Sequence, residues 1–353
     1  MVEPTRLRAA FEDQAAACLA LDAPFTAQLI RCCPDAIDDR TAVGQRLLEW
    51  PGDPSPWGDV VPLRLAGAFH GLVRRGQLPE LASFYPPAPV HEDAALRAAL
   101  ARAMRTRDSD LLPWLDTPPQ TNEVGRSGVV WPGLMAIAAR TGQPQAIFEL
   151  GSSGGLNLVP DRLAYCLGGR RVGAAESPIT LTPDWRGPPP EGPDPKIVAR
   201  RGCDLAPRDI SDPQTQERLL AYLWPDQPLR LRRMTDAIGL AKEAGIRVER
   251  AEAAAWLATV LAAPQAPGTT RVVMHTIAVQ YFPRESRAEI DALMAAAGAR
   301  ADAARPLARL GFEMRASAGP PRLTLQLWPG GAVQTLAEAH PHGTWIRWGT
   351  VAS

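Results

Sequence analysis

The sequence predicts an α/β protein: a Rossmann-like doubly wound sheet with an antiparallel edge strand, preceded by an all-helical N-terminal subdomain. Three observations predict it. Apolar residues recur at helical spacing up to about Pro118, with no strand pattern among them. From Ala146 onward, short apolar runs alternate with helical stretches. A glycine-rich loop follows the first of those runs.

In the N-terminal part, Phe11, Ala15, Cys18 and Leu19 lie at helical spacing, as do Leu63, Gly67, His70, Leu72 and Val73. Pro24, Pro34, Pro51, Pro54, Pro56, Pro79, Pro86, Pro87 and Pro89 are expected to cut this part into short helices. Pro118 and Pro119 mark a break, so the chain divides into a helical subdomain at 1–120 and a sheet domain at 121–353.

The sheet domain opens with a predicted helix from about Val129 to Arg140. The run Ala146–Leu150 then suits a buried parallel strand. Leu156-Asn157-Leu158 is expected to open a helix reaching about Leu167. A Pro/Gly-rich insertion at about 170–200 is expected to hold a hairpin of 179–182 and 196–200. Alternation resumes with a strand ending at Asp204, a helix from about Leu229 to Ala244 and a strand at 246–249. A helix near 254–261, a strand at 271–275 and a helix at about 284–297 follow. Strands near 312–315, 323–327 and 345–348 finish the chain.

Composition narrows the function. The 353 residues include 38 basic and 38 acidic side chains. A protein that grips nucleic-acid phosphates carries a basic surplus, and none is present. The five cysteines form no C-x-x-C pair, and neither they nor the five histidines fall at metal-ligand spacing, so no metal is expected. The odd cysteine count fits reduced thiols, the N-terminal residues lack the apolar stretch of a signal peptide, and no window has the apolar length of a membrane span. A cytoplasmic protein with a small-molecule partner is expected; no feature specifies an oligomeric state.

The chemistry concentrates in Glu149-Leu150-Gly151-Ser152-Ser153-Gly154-Gly155. A dinucleotide loop needs G-x-G-x-x-G, but Ser153 and Leu156 occupy the later glycine positions. The Walker lysine of a phosphate-binding loop is absent too. An acid followed by alternating glycines, E/D-x-G-x-G-x-G, fits Glu149, Gly151 and Gly155 with Ser153 in the middle. That pattern is typical of Rossmann-like methyltransferases. A carboxylate at the strand end suits the ammonium of a methionine moiety and would repel a pyrophosphate. The expected cofactor is therefore S-adenosylmethionine, held by Glu149, Gly151, Ser152, Ser153, Gly154, Gly155 and Asn157. Asp204 is expected to take the ribose hydroxyls, with Glu176 the alternative. Glu252 and Ala253 are expected to face the adenine.

Each residue also has a plainer role open to it. The glycines can serve tight packing, Asp204 a turn, and Glu252 the cap of a helix. His275 is either a general base or a hydrogen-bonded core histidine. Tyr281 either shapes a substrate pocket or packs. Glu123 and Arg126 either clasp each other or close over the cofactor as a lid.

Thr121–Ser127, the Glu149–Asn157 loop, Arg201–Pro207, Trp224-Pro225-Asp226-Gln227 and His342-Gly343, together with Arg64, Leu65 and His70, carry a wider resemblance. On these residues the chain resembles, over nearly its whole length, the bacterial domain-of-unknown-function family 2332. The resemblance implies a fold similar to class I S-adenosylmethionine-dependent methyltransferases and supplies no reaction. Methyl transfer to a small molecule is the expectation. The alternative is a module of the same fold that binds the cofactor or another nucleoside without turnover.

Overall fold

A computed structural model describes residues 4–88, 92–120, 122–315 and 319–349. Pro89 and Thr121 thus lie outside the described residues. The chain divides into two units, 1–121 with 212–232, and 122–211 with 233–353. The segment 212–232, which the sequence division leaves in the sheet domain, groups with the N-terminal helices.

Every described element between Pro4 and Trp114 is helical: α1 (Pro4–Leu19), α2 (Pro24–Ala36), α3 (Ala42–Leu48), α4 (Val61–Arg74), α5 (Pro79–Ala82), α6 (Asp93–Thr106), α7 (Asp108–Leu111) and a 3-10 turn. Proline punctuates as expected at Pro24 and Pro79, and Pro62, outside the expected set, also sits in a first turn, where an N–H needs no partner inside the helix. Pro34 departs from expectation: α2 runs through it to Ala36. Only two residues follow it in the helix, and the buried Cys32, Cys33 and Ala36 hold that end against the core.

α4 forms the centre of this unit, with Leu65, Ala68, Phe69 and Leu72 buried. The returning segment carries a helix, Pro213–Ala221, and Tyr222. Both approach α4 over glycines: a Cβ on Gly67 would lie 2.5 Å from Tyr222, and one on Gly71 3.3 Å from Ala221, with Trp114 closer still at 2.5 Å. Asp226 supplies what the chain before α2 lacks. Ala23 offers no side-chain cap. Instead, the Asp226 carboxylate accepts the first N–H groups of α2, from Phe25 at 2.7 Å and Thr26 at 3.0 Å, and the Thr26 hydroxyl.

The second unit starts with α8 (Ser127–Thr141) and β1 (Gln145–Leu150). No helix follows the glycine loop. Leu156–Leu158 and Pro160–Arg162 form single 3-10 turns, and β2 (Ala164–Leu167) begins at once. Pro160 cannot donate the N–H that would continue a helix opened at Leu156, and Asn122 accepts the loop amides of Gly154 and Leu156. The expected hairpin is also replaced. β2 pairs with β3 (Arg170–Gly173) and β4 (Thr180–Leu181) in a separate three-stranded sheet. After β5 (Asp184–Arg186), residues 197–204 form one strand, β6 (Ile197–Asp204), paired with β1.

With α9 the helix Pro213–Ala221 above, the rest runs α10 (Pro228–Glu243), β7 (Glu249–Arg250), α11 (Ala253–Ala262), β8 (Thr270–Thr276), α12 (Arg284–Gly298), β9 (Leu307–Glu313), β10 (Arg322–Trp328), β11 (Val333–Ala339) and β12 (Trp345–Trp348). The main sheet has nine strands in the order β5-β12-β11-β10-β9-β8-β1-β6-β7. From β9 to β7 every pairing is parallel. β9 to β12 pair antiparallel, and β5 closes the far edge parallel to β12. The antiparallel portion is therefore a multi-strand block rather than a single edge strand. β8, at the centre of the parallel portion, is buried at all seven positions, as a strand covered on both faces must be. α11 and α12 cover one face, over Leu150, Cys203, Val273 and Leu307. α8 covers the other, where Gly133 lets it approach Leu310 and Leu323.

Candidate functional site

Neighbouring parallel strands bring Glu149, Asp204, Glu252 and His275 to the carboxyl ends of β1, β6, β7 and β8. Glu176 lies in the turn between β3 and β4, exposed and outside that sheet. Of the two acids considered for the position beside β1, the fold puts Asp204 there.

The glycine loop is held from every side. Successive amides are engaged: Ser152 N–H with the Cys203 carbonyl at 2.9 Å, Ser153 N–H with the Asp204 carboxylate at 2.9 Å, and Gly155 N–H with the Ser152 carbonyl at 2.8 Å. The buried Asn122 side-chain oxygen accepts from Gly154 at 3.2 Å and Leu156 at 2.9 Å. These amides do not converge on open space, so the loop does not form a phosphate cradle of the P-loop kind. Its glycines answer close approaches. Gly151 has φ +70° and would place a Cβ 2.7 Å from Ala278, while Gly155 has φ +76° and would place one 2.6 Å from Ile246.

Two buried side-chain oxygens beside the loop have no hydrogen-bond partner. Glu149 is 1% exposed, and its Oε2 accepts no hydrogen bond; the buried Ser153 Oγ is unpartnered as well. Burial pushes the Glu149 carboxyl up to about 8, against the pull of the Ser152 hydroxyl and the Arg126 guanidinium. An unsatisfied acceptor inside a fold costs stability and calls for an explanation. Backbone strain gathers at the same place. Ser153 and Ile277 hold φ of +55° and +48° in the loops after β1 and β8, and a β-branched residue adopts that region only at a cost.

Asp204 accepts the amides of Ser153 and Ala206, one on each oxygen, at 2.9 Å. Each oxygen keeps a lone pair for a further donor. Glu252 is the N-cap of α11. Its carboxylate accepts from Ala255 N–H at 2.9 Å and from the Ser286 hydroxyl, and Ala253 is the buried first residue of that helix. Burial opposes ionisation of Glu252, but Ser286 and the first-turn amides outweigh it and lower its pKa.

His275 is buried, and both ring nitrogens are engaged. Nδ1 lies 2.8 Å from the Glu313 carboxylate, and Arg309 Nε donates to Nε2 across 3.2 Å. Since arginine only donates, Nε2 accepts and Nδ1 carries the proton. Glu313 also receives the amides of Ala278 and Val279, which ties His275 to the strained loop; burial opposes its ionisation, but His275 and those amides lower its pKa overall. Tyr281, in the same loop, is 76% exposed.

Glu123 and Arg126 flank a 3-10 turn before α8. The buried Glu123 carboxylate accepts Gly125 N–H at 2.9 Å. Arg126 donates to the carbonyls of Thr276 at 3.0 Å and Pro341 at 3.1 Å, tying the end of β8 to the turn at 340–343. Burial lowers its pKa. Gly343 lies against Gly125. Asn157 accepts the Ser127 hydroxyl at 2.8 Å. The motif segments of the sheet unit thus converge on one loop cluster, whereas Asp226 caps α2 and His70 Nδ1 meets the Ala221 carbonyl at 3.1 Å in the helical unit. Sequence reasoning assigned no roles to Asn122, Arg309 or Glu313. Asn122 was legible as a loop residue inside a marked segment; the other two become visible only when β9 pairs beside β8.

Residues 8–348 match the family described as uncharacterized protein conserved in bacteria (DUF2332), and the chain belongs to that family. No curated protein and no solved structure matches the chain. Among the described residues no group of His, Cys, Asp or Glu could hold a metal ion, and no helix is long and apolar enough to cross a membrane.

Proposed function

We propose that this protein is an S-adenosylmethionine-dependent methyltransferase of Rossmann-like fold that acts on a small-molecule acceptor. The observation that carries the reading is the unpartnered, buried Glu149 carboxyl at the end of the central parallel strand. It supplies an acceptor for a ligand ammonium, and Asp204 on the adjacent strand supplies acceptors for a ribose diol. The strand order supports the same placement. β1, β6 and β7 proceed in one direction and β8 and β9 in the other, so the order reverses beside β1. Open α/β sheets bind ligands outside the carboxyl ends of the strands at such a reversal. The engaged loop amides and the buried acid disfavour a dinucleotide pyrophosphate there.

When bound, the cofactor supplies an electrophilic methyl group on a sulfonium. The chain's part is to hold the methionine end on Glu149, the ribose on Asp204 and the acceptor in line, in a site that excludes water. An acceptor hydroxyl or thiol held in line by these residues would receive the methyl, with its proton passing to solvent. His275 does not take that proton, because Arg309 occupies Nε2 and Nδ1 is protonated toward Glu313. It acts as a positioning residue for the 277–279 loop.

The engagement of His275 favours a second reading, a module that binds the cofactor without turnover. Calorimetric titration with S-adenosylmethionine, S-adenosylhomocysteine and NAD tests both. Binding of the first two alone, weakened by Glu149→Gln, is expected. Binding of NAD alone, or of none, refutes both readings. Binding with no methyl transfer to any acceptor in a broad small-molecule screen leaves the second.

A further inference from the structure

At the opposite end of β8 from Glu149, three guanidinium groups converge. Arg271, Arg300 and Arg305 line a cavity of about 160 Å³ with Gln265, Ala297 and Leu307. Arg271 stands about 17 Å along β8 from Thr276, at roughly 3.3 Å per residue. This place is separate from the proposed cofactor site, and the inference does not rest on it.

Arg271 is 7% exposed and makes no ion pair among the described residues; burial alone lowers its pKa. A buried guanidinium without a carboxylate is uncommon, because desolvating a charge is expensive. It donates to the carbonyls of Leu261 at 3.3 Å and Ala263 at 2.8 Å, at the end of α11. Those two bonds leave three of its five N–H donors. The Arg300 side chain makes no hydrogen bond or ion pair among the described residues, and Arg305 donates from Nε to the Gln265 carbonyl at 3.2 Å and meets the exposed Asp302 at 3.7 Å. The C-terminal ends of α11 and α12 contribute roughly half a negative charge each. Three cations against one carboxylate and two helix ends leave an excess of about one positive charge.

We propose that this cavity binds a phosphate group, either inorganic phosphate or the phosphate of a small ester. Its volume is well above the roughly 10–15 Å³ that one water requires, so there is room for a tetrahedral oxyanion. Arginine donors match phosphate oxygens in geometry and charge.

The test is thermal unfolding of the full chain against inorganic phosphate and glycerol 3-phosphate, with ionic strength held constant by sodium chloride. The comparison chain is Arg300→Ala/Arg305→Ala, because both side chains are exposed and their loss spares the tie between Arg271 and α11. A saturable rise in Tm is expected for the wild type, with half-saturation shifted at least tenfold in the variant. A response to both compounds assigns the site to the phosphate group whatever its carrier. A response to phosphate with glycerol 3-phosphate excluded assigns it to the free ion. A rise no larger than that of chloride, or the same rise in the variant, overturns the proposal.

Discussion

Replacing Glu149 by glutamine keeps the shape of the buried carboxyl and removes its titration. The wild-type group ionises at about 8 in the folded protein, against an ordinary value of 4.5. The folded state therefore holds a proton that the unfolded state releases in this window, and stability falls as pH rises from 4.5 through 8. At about 1.36 kcal/mol per unit, the wild type loses roughly 2.7 kcal/mol between pH 5 and pH 7 from this group alone. Glu149→Gln escapes that loss. The two chains should be close in stability at pH 5, and the variant should be ahead by about that amount at pH 7. Urea titrations of both chains at pH 5, 6 and 7 measure the difference. If the two curves of stability against pH run parallel, the buried acid is not protonated and the account of the site fails. The same proton governs the proposed cofactor. A ligand ammonium prefers the ionised carboxylate, so binding must release the proton. Between pH 6 and 7, below the ~7.7–8.0 at which an α-amino group loses its charge, affinity should climb about tenfold in wild type and hardly change in the variant.

Two further substitutions probe contacts that hold the units' distinctive segments. Asn122→Ala strips the glycine loop of its acceptor for Gly154 and Leu156 and strands two buried N–H groups, at a cost of about 1–3 kcal/mol. Hydrogen exchange at those two amides should accelerate, whereas protection unchanged from wild type refutes the contact. Asp226→Ala removes the remote cap of α2 and should cost about 1–2 kcal/mol in chemical denaturation. Asp226→Asn should recover part of that loss, since an amide oxygen still accepts; no recovery would mean that charge rather than capping is at work.

Local pattern carried much of the fold. The helical spacing of the N-terminal part, the short apolar run of β1, the apolar run of α11 and the charge-interrupted run of α12 are properties of short windows, and periodicity reads them directly. So is the position of an acid and glycines at a strand end, which marked Glu149, Gly151 and Gly155 before any contact was known. Asp204 was legible as an acid at the end of an expected strand, and His275 as a polar residue closing an apolar run.

What only the tertiary structure decided is where long-range partners intervene. Residues 156–167 carry enough apolar character for a helix, but Pro160 lacks an N–H to continue it, and 164–167 find strand partners in β3 and β4. Residues 179–182 and 196–200 each suit a strand, and which partner each finds depends on β2 and β1. Segment 212–232 follows the sheet-domain motifs in sequence, yet its residues pack with α4 because Gly67 leaves room for the Tyr222 ring and Gly71 for Ala221. His275 reads as a base until β9 brings Arg309 and Glu313 to its two nitrogens. In each case the sequence determined a local preference, and partners elsewhere in the chain settled the outcome through hydrogen bonds or packing.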